Sequence, residues 1–328
     1  MHFGRIKVVT RRELLAAALA APVALALDRR AFAARLGGSV VLVTADLESH
    51  VVALDPSSAR TIARIRTAAG PRSIESVDAR TAVVAHTEHG LVSVLDAASR
   101  EIRAELDHFA APRYTAVHPA KPIAYVTDSA NEELVALDVY RAKVLWRTRV
   151  PGPARHVSIS PDGATIWTAL GTKAARVAVL DSSDPRRPRF ARTLAPPFLA
   201  HDVVFSPDGR RVWVTSGSER RIALYVAESR RPARIIAGDA PPQHVTFTRG
   251  RAFVACGDDG TVRRHQLDGT LLGTARVPIG SYNVTFGSDR VVTPSLGQGT
   301  VSLLDRSGRV RAVRRVARAA HDACVVGV

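Results

Sequence analysis

Apolar and polar residues alternate along most of this chain with a period of two, in short runs closed by turn sequences. One phrase keeps returning, an alternating strand that ends in Leu-Asp or a relative of it. It reads Val51-Val52-Ala53-Leu54-Asp55, Val92-Ser93-Val94-Leu95-Asp96, Leu134-Val135-Ala136-Leu137-Asp138 and Val177-Ala178-Val179-Leu180-Asp181. Degenerate copies follow at Ile222 to Val226, at Val262 to Asp268 with an insertion, and at Val301-Ser302-Leu303-Leu304-Asp305. The first four aspartates are 41, 42 and 43 positions apart. A fixed period of this size marks a repeat architecture.

Each phrase has companions at fixed offsets. Upstream is a second strand, such as Ala124-Tyr125-Val126-Thr127, Thr165-Ile166-Trp167-Thr168 or Val212-Trp213-Val214-Thr215. Further upstream a strand runs into Ser160-Pro161-Asp162-Gly163 or Ser206-Pro207-Asp208-Gly209. In these turns Pro presets φ, Asp bonds back to the backbone and Gly accepts a positive φ. An outer strand follows, as at Arg100 to Leu106 and Lys143 to Arg149. Seven units of four short strands result, and no single sheet can bury both of its faces. Radial stacking solves this, so an all-β, seven-bladed β-propeller over residues 39–328 is expected. The tail, His321 to Val328, matches a first strand, and Val40-Val41-Leu42-Val43-Thr44 matches a second. The C-terminal strand should therefore complete the blade begun by residues 39–67 and close the ring.

Together, Ala124-Tyr125-Val126-Thr127-Asp128, the Ser-Pro-Asp-Gly turns and the Val-x-x-Leu-Asp strands resemble the YVTN-repeat β-propeller family over nearly the whole of residues 39–328. Thr248-Arg249-Gly250 and Gly287-Ser288-Asp289 depart from the turn pattern. The resemblance implies a secreted or cell-surface propeller. It implies no activity: related propellers include lactonases and haem carriers of denitrification, but no diagnostic catalytic motif of either is matched.

Residues 1–35 read as a targeting segment outside the fold. Arg5 and Lys7 lead to Thr10-Arg11-Arg12-Glu13-Leu14-Leu15, an apolar run from Leu14 to Leu27, and small residues at Ala31-Phe32-Ala33. The paired arginines resemble a twin-arginine signal, with an ordinary Sec signal as the alternative. Export to the periplasm or beyond is the expectation. No other apolar run approaches the about 20 residues of a membrane span. The net charge is +16, but only four of the 46 basic residues are Lys, and basic clusters are not interleaved with aromatics. This argues against nucleic-acid binding. Cys256 and Cys324 fall in non-adjacent blades and are expected as two buried thiols rather than a disulfide.

Propeller sites gather where the innermost strands converge on the channel. Aligning the units puts Arg72-Ser73, Arg113-Tyr114, Arg155-His156, His201-Asp202, Gln243-His244, Tyr282-Asn283 and His321-Asp322 at that mouth. Four of the 11 histidines fall in these positions. Candidate ligand-binding residues are Arg72, Arg113, Tyr114, Arg155, His156, His201, Asp202, His244, Tyr282, His321 and Asp322. His156, His201, His244 and His321 are candidate metal ligands, and the two His-Asp pairs would supply a ligand with its orienting carboxylate. Three arginines on one arc suit an anion. Elsewhere, His86-Thr87-Glu88-His89 reads as an exposed hairpin, Asp258-Asp259-Gly260 as a hairpin turn, and Asp184 to Arg189 as a solvated loop.

No nucleophile elbow, P-loop or dinucleotide fingerprint is present. The leading expectation is an exported, monomeric, non-enzymatic propeller that binds a small anionic ligand or a protein partner. The alternatives are a lactonase-like hydrolase or lyase with a channel His as base, and a haem or transition-metal carrier. No cofactor is required by any motif.

Overall fold

The computed structural model describes residues 38–327, so the segment read as a leader lies outside the described residues. The described chain forms seven four-stranded antiparallel sheets arranged as the blades of a propeller. Among the described residues no α-helix occurs, and the two helical turns, Thr87–His89 and Gly257–Asp259, are single 3-10 turns.

The ring closes as the repeat phase requires. Blade one runs outward from Ala320–Val326 through Val40–Ala45 and His50–Leu54 to Thr61–Arg66. Val41 pairs with Val325, Leu42 with Cys324 and Val43 with Ala323, and Val41, Leu42 and Val43 are fully buried. The innermost strands of blades two to seven are Ser73–Ser76, Pro112–Val117, Val157–Ile159, Val203–Phe205, Val245–Thr248 and Thr285–Gly287. The core lies between blades, where Trp167, Trp213, Tyr125, Tyr225 and Phe253 are all but completely enclosed.

The recurring residues have distinct duties. The Leu of Leu-Asp is buried: Leu54, Leu95 and Leu180 are at 0% exposure. The Asp folds the turn to the outer strand. Asp55 accepts the backbone N–H groups of Ser57 and Ser58, Asp96 those of Ala98 and Ser99, and Asp305 those of Ser307 and Arg309. In the Ser-Pro-Asp-Gly turns, Asp162 and Asp208 accept the Ser160 and Ser206 hydroxyls. Gly163 and Gly209 take φ of +77° and +69°.

Two expectations need correction, and a third holds. His86 is not exposed: it is fully buried, with Nδ1 3.1 Å from the Ala69 carbonyl and Nε2 2.9 Å from the Ser93 hydroxyl. Asp258, Asp259 and Gly260 do form a hairpin turn, between the antiparallel strands Arg251–Cys256 and Thr261–Gln266, with Gly257–Asp259 as a single 3-10 turn capped by Gly260. The Asp184–Arg189 insertion is partly packed down. Pro185 and Pro188 are buried, and their carbonyls accept the hydroxyls of Tyr125 and Thr148. Both cysteines are free and buried, as expected.

Candidate functional site

In four of the seven blades a threonine near the end of the second strand, Thr44, Thr127, Thr215 or Thr293, bonds to the polar pairs at the channel mouth. The Thr44 hydroxyl donates to the Arg72 carbonyl of the next blade and receives the N–H of Asp322 from its own. Thr215 does the same with the Gln243 carbonyl and the Asp202 N–H. Thr127 bonds Tyr114, and Thr293 donates to the Asn283 carbonyl. Thr44 and Thr215 thus stitch one site position to that of the next blade, Thr127 and Thr293 bond within their own blades, and Ala85 and Ala255 stand at this place in blades two and six. In two blades the pair lies within the innermost strand rather than before it: Arg113-Tyr114 in Pro112–Val117 and His321-Asp322 in Ala320–Val326.

Four consecutive blades bring their rings together. His156 packs at a tilt on Tyr114 at 4.0 Å between centroids and on His201 at 4.4 Å, and edge to face on His244 at 4.7 Å. His201 and His244 stand 5.3 Å apart, nearly edge to face. Each of the three imidazoles offers one nitrogen, and those atoms all lie within 4.8 Å of one another. Second contacts fix two of the rings. His201 Nδ1 points to the Thr172 carbonyl at 3.3 Å, and His244 Nδ1 to Asp202 Oδ2 at 3.4 Å. In each ring this leaves Nε2 as the free nitrogen. His156 is 1% exposed, and neither of its ring nitrogens has a hydrogen-bond partner. Gly217, at φ +68°, lets His201 in, because a Cβ there would lie 2.6 Å from the His201 Cβ.

Burial, reinforced by the neighbouring rings His201 and His244, holds the His156 imidazole well below its ordinary range. Burial and then His244 bring His201 down to about 4. Both are neutral near pH 7, the form that ligates a metal. Alongside stand the arginines. Burial first, then the nearby Arg155 and Arg72 guanidiniums, lower the Arg113 pKa, as crowded like charges should. The Nε atoms of Arg72, Arg113 and Arg155 are buried without a hydrogen-bond partner, while Arg155 Nη1 contacts the Thr172 hydroxyl.

Of the remaining candidates, Asp202 touches the cluster through His244, while His321, Asp322 and Tyr282 have their hydrogen bonds elsewhere. His321 is 7% exposed and its Nδ1 sits 2.9 Å from Asp46 Oδ2, an oxygen shared with Arg72 Nη1 at 3.3 Å. The His-Asp pairs do not act internally. Asp202 faces His244 of the next blade and accepts the Val203 N–H, while Asp322 accepts the N–H groups of Ile74 and Ala323. Tyr282 donates to Asp258, which also receives Gln243. Two contributors lie outside the repeat-aligned pairs. Asp46 comes from the turn after the second strand of blade one. Glu75 lines the channel cavity of 470 Å³ below the mouth, with Tyr114, His156, His244 and Asp322. Burial, then Asp322, pushes the Glu75 carboxyl up to about 7. Its place two residues into the first strand of blade two, on the channel face, was the signal available in the sequence.

No protein-family model matches the chain, and a search of curated proteins finds no match. Solved structures do resemble it. A functionally unknown protein from Desulfotomaculum acetoxidans superposes with a TM-score of 0.77 at 13% identity, covering 88% of this chain and 98% of that one. Hydrazine synthase of Kuenenia stuttgartiensis gives 0.61 at 20% identity, over 72% and 76%. The dihydro-heme d1 dehydrogenase NirN, in complex with DHE, gives 0.61 at 19% identity, over 85% and 64%. At these identities the likeness establishes the seven-bladed propeller fold and nothing finer.

Proposed function

We propose that this chain is an exported binding propeller that holds one divalent transition-metal ion on His156, His201 and His244 and presents a small anion to it beside Arg113 and Arg155. The observation that carries this reading is the orphaned His156. Burying an imidazole with both nitrogens unpaired costs about 1–3 kcal/mol, and here it is surrounded by two more imidazoles with free Nε2 atoms. A tetrahedral ion bound at about 2.1 Å needs donors about 3.4 Å apart. Rotamer adjustments of about an ångström bring the present spacing to that value. Three nitrogen ligands leave a fourth position for water or an anion.

Haem is the less favoured occupant. The three rings pack on each other at 4.4–5.3 Å, and a flat macrocycle would have to push them apart. Export is supported by the paired arginines and apolar run of residues 1–35.

Zinc titration of chelator-treated protein tests the reading. One ion should bind, and His156→Ala should weaken it by about 100-fold or more, as losing a ligand costs more than the about 10–100-fold lost with a residue that only orients one. Equal zinc binding by that variant sinks the metal site. Phosphate or succinate binding that is the same in Arg113→Gln sinks the anion half alone.

A further inference from the structure

A second built cavity, which shares no lining residue with the channel cavity, lies between blades five and six. Its volume is 560 Å³, within the usual range for a small-molecule site. Ile222, Ile236, Val254 and Leu271 supply apolar walls; Arg220, Arg263 and His265 supply the polar groups.

The repeat supplies an internal control for this place. Every blade carries a β-bulge at the same point of its third strand, between Ala53 and Leu54 in blade one and between Arg264 and His265 in blade six. The residue after the bulge is Leu54, Leu95, Leu137, Leu180, Tyr225 and Leu304 in six blades, and His265 in the seventh. The residue two before it is Val52, Ser93, Val135, Ala178, Ala223 and Ser302, and in blade six Arg263. All these positions are buried, so blade six has exchanged a small residue and a large apolar one for a guanidinium and an imidazole in its interior. Burying such groups costs free energy unless they are paired.

They are only half paired. His265 is 5% exposed; its Nδ1 lies 3.0 Å from the Gly269 carbonyl, which leaves Nε2 as an acceptor without a partner. Arg263 is 6% exposed, and its Nε has no partner. Its Nη1 pairs with Asp239, whose side chain is 78% exposed and can leave at little cost. Arg220 adds a second cation at the rim, and Arg234 a third, its Nη1 donating to the Asp268 carbonyl.

We propose that this inter-blade cavity binds an amphipathic carboxylate: an apolar chain or ring lies against Ile222, Ile236, Val254 and Leu271, and its carboxylate takes the place of Asp239 on Arg263, beside Arg220. Three arginines against one displaceable aspartate select an anion, and the apolar walls select its body. This site is independent of the channel-mouth reading.

Decanoate is a suitable probe, and Trp213, 5.9 Å from the His265 ring, is a built-in fluorophore. Titration of the full folded protein should give saturable one-to-one binding with a change in tryptophan emission. Decanol should bind at least tenfold more weakly. The variant Arg263→Val/His265→Leu restores the residues that blade three carries, so it should fold with an equal or higher Tm and lose decanoate binding at least tenfold. His156→Ala should bind decanoate as the parent does. The proposal is overturned if decanoate does not bind, if decanol binds equally well, or if the restored-repeat variant keeps its affinity. Loss of decanoate binding in His156→Ala instead would place the ligand in the channel and equally overturn it.

Discussion

Two blades open with the same dipeptide, His201-Asp202 and His321-Asp322, at the same point of the repeat, yet the two imidazoles have opposite fates. His321 is consumed by structure. Asp46, from a turn of its own blade, takes its Nδ1 and shares the oxygen with Arg72, and the seam between the chain ends is locked at the mouth. His201 is left with Nε2 free among two other imidazoles. What separates them is not the dipeptide but what the neighbouring turn offers. An acidic residue at position 46 turns one His into a bolt. On the opposite arc, Tyr114, His156 and His244 turn the other into part of a cluster.

The strongest test of this contrast is at the seam. Ending the chain before His321 removes the innermost strand of blade one together with the Asp46 and Asn283 contacts to His321. Two buried sheet faces open, and repeat proteins without a capped end do not persist. The expected result is insoluble protein or loss of a cooperative melting transition. A truncated protein that melts at the parent's temperature would show that the closing blade is dispensable.

Smaller and more discriminating is a swap of single alanines. His321→Ala leaves Asp46 facing Arg72 alone and should cost roughly 1–3 kcal/mol of stability, the range for orphaning a buried polar partner. Zinc affinity should stay within about threefold, since 1.4 kcal/mol already makes a factor of ten. His156→Ala should do the reverse, losing zinc while stability changes little, because an imidazole with no partners is removed. Urea unfolding with zinc titration on both variants reads the two columns at once. If both variants lose stability and neither loses metal, the mouth is a structural ring of polar caps throughout.

The fold was legible because each repeated residue has a local duty: Asp55, Asp96 and Asp305 fold a turn, Leu54 and Leu95 fill a gap between blades, and Thr44 and Thr215 tie the mouth. Such duties recur with the period and can be counted. The convergence of His156, His201 and His244 was legible for the same reason, as their place in the repeat fixes their place in the ring. Asp46 was not, since it has no counterpart at the aligned positions, and of Glu75 only its place on the channel face was, because the effect of both depends on distances across blades. His86 misled for a related reason. Its sequence neighbours Glu88 and His89 are exposed, but as the last residue of an inner strand it points between blades.

The smallest expected effect concerns Glu75, which sits on the boundary between the two arcs. It lines the cavity, beside Asp322 of the closing blade and below the mouth. Burial and the Asp322 charge raise its folded pKa to about 7, against an ordinary value of 4.5. The folded state then binds more protons than the unfolded one between these values. By linkage the contribution of Glu75 is fully present below about pH 4.5 and is lost as pH rises through about 7. Glu75→Gln, which cannot ionise, should therefore match the parent near pH 4.5 and exceed it by roughly 1–3 kcal/mol at pH 8. Urea midpoints at the two pH values give this difference directly. A parent and variant separated by the same amount at both would mean that Glu75 titrates as a solvated carboxylate, and that the cavity wall between the arcs is wet rather than closed.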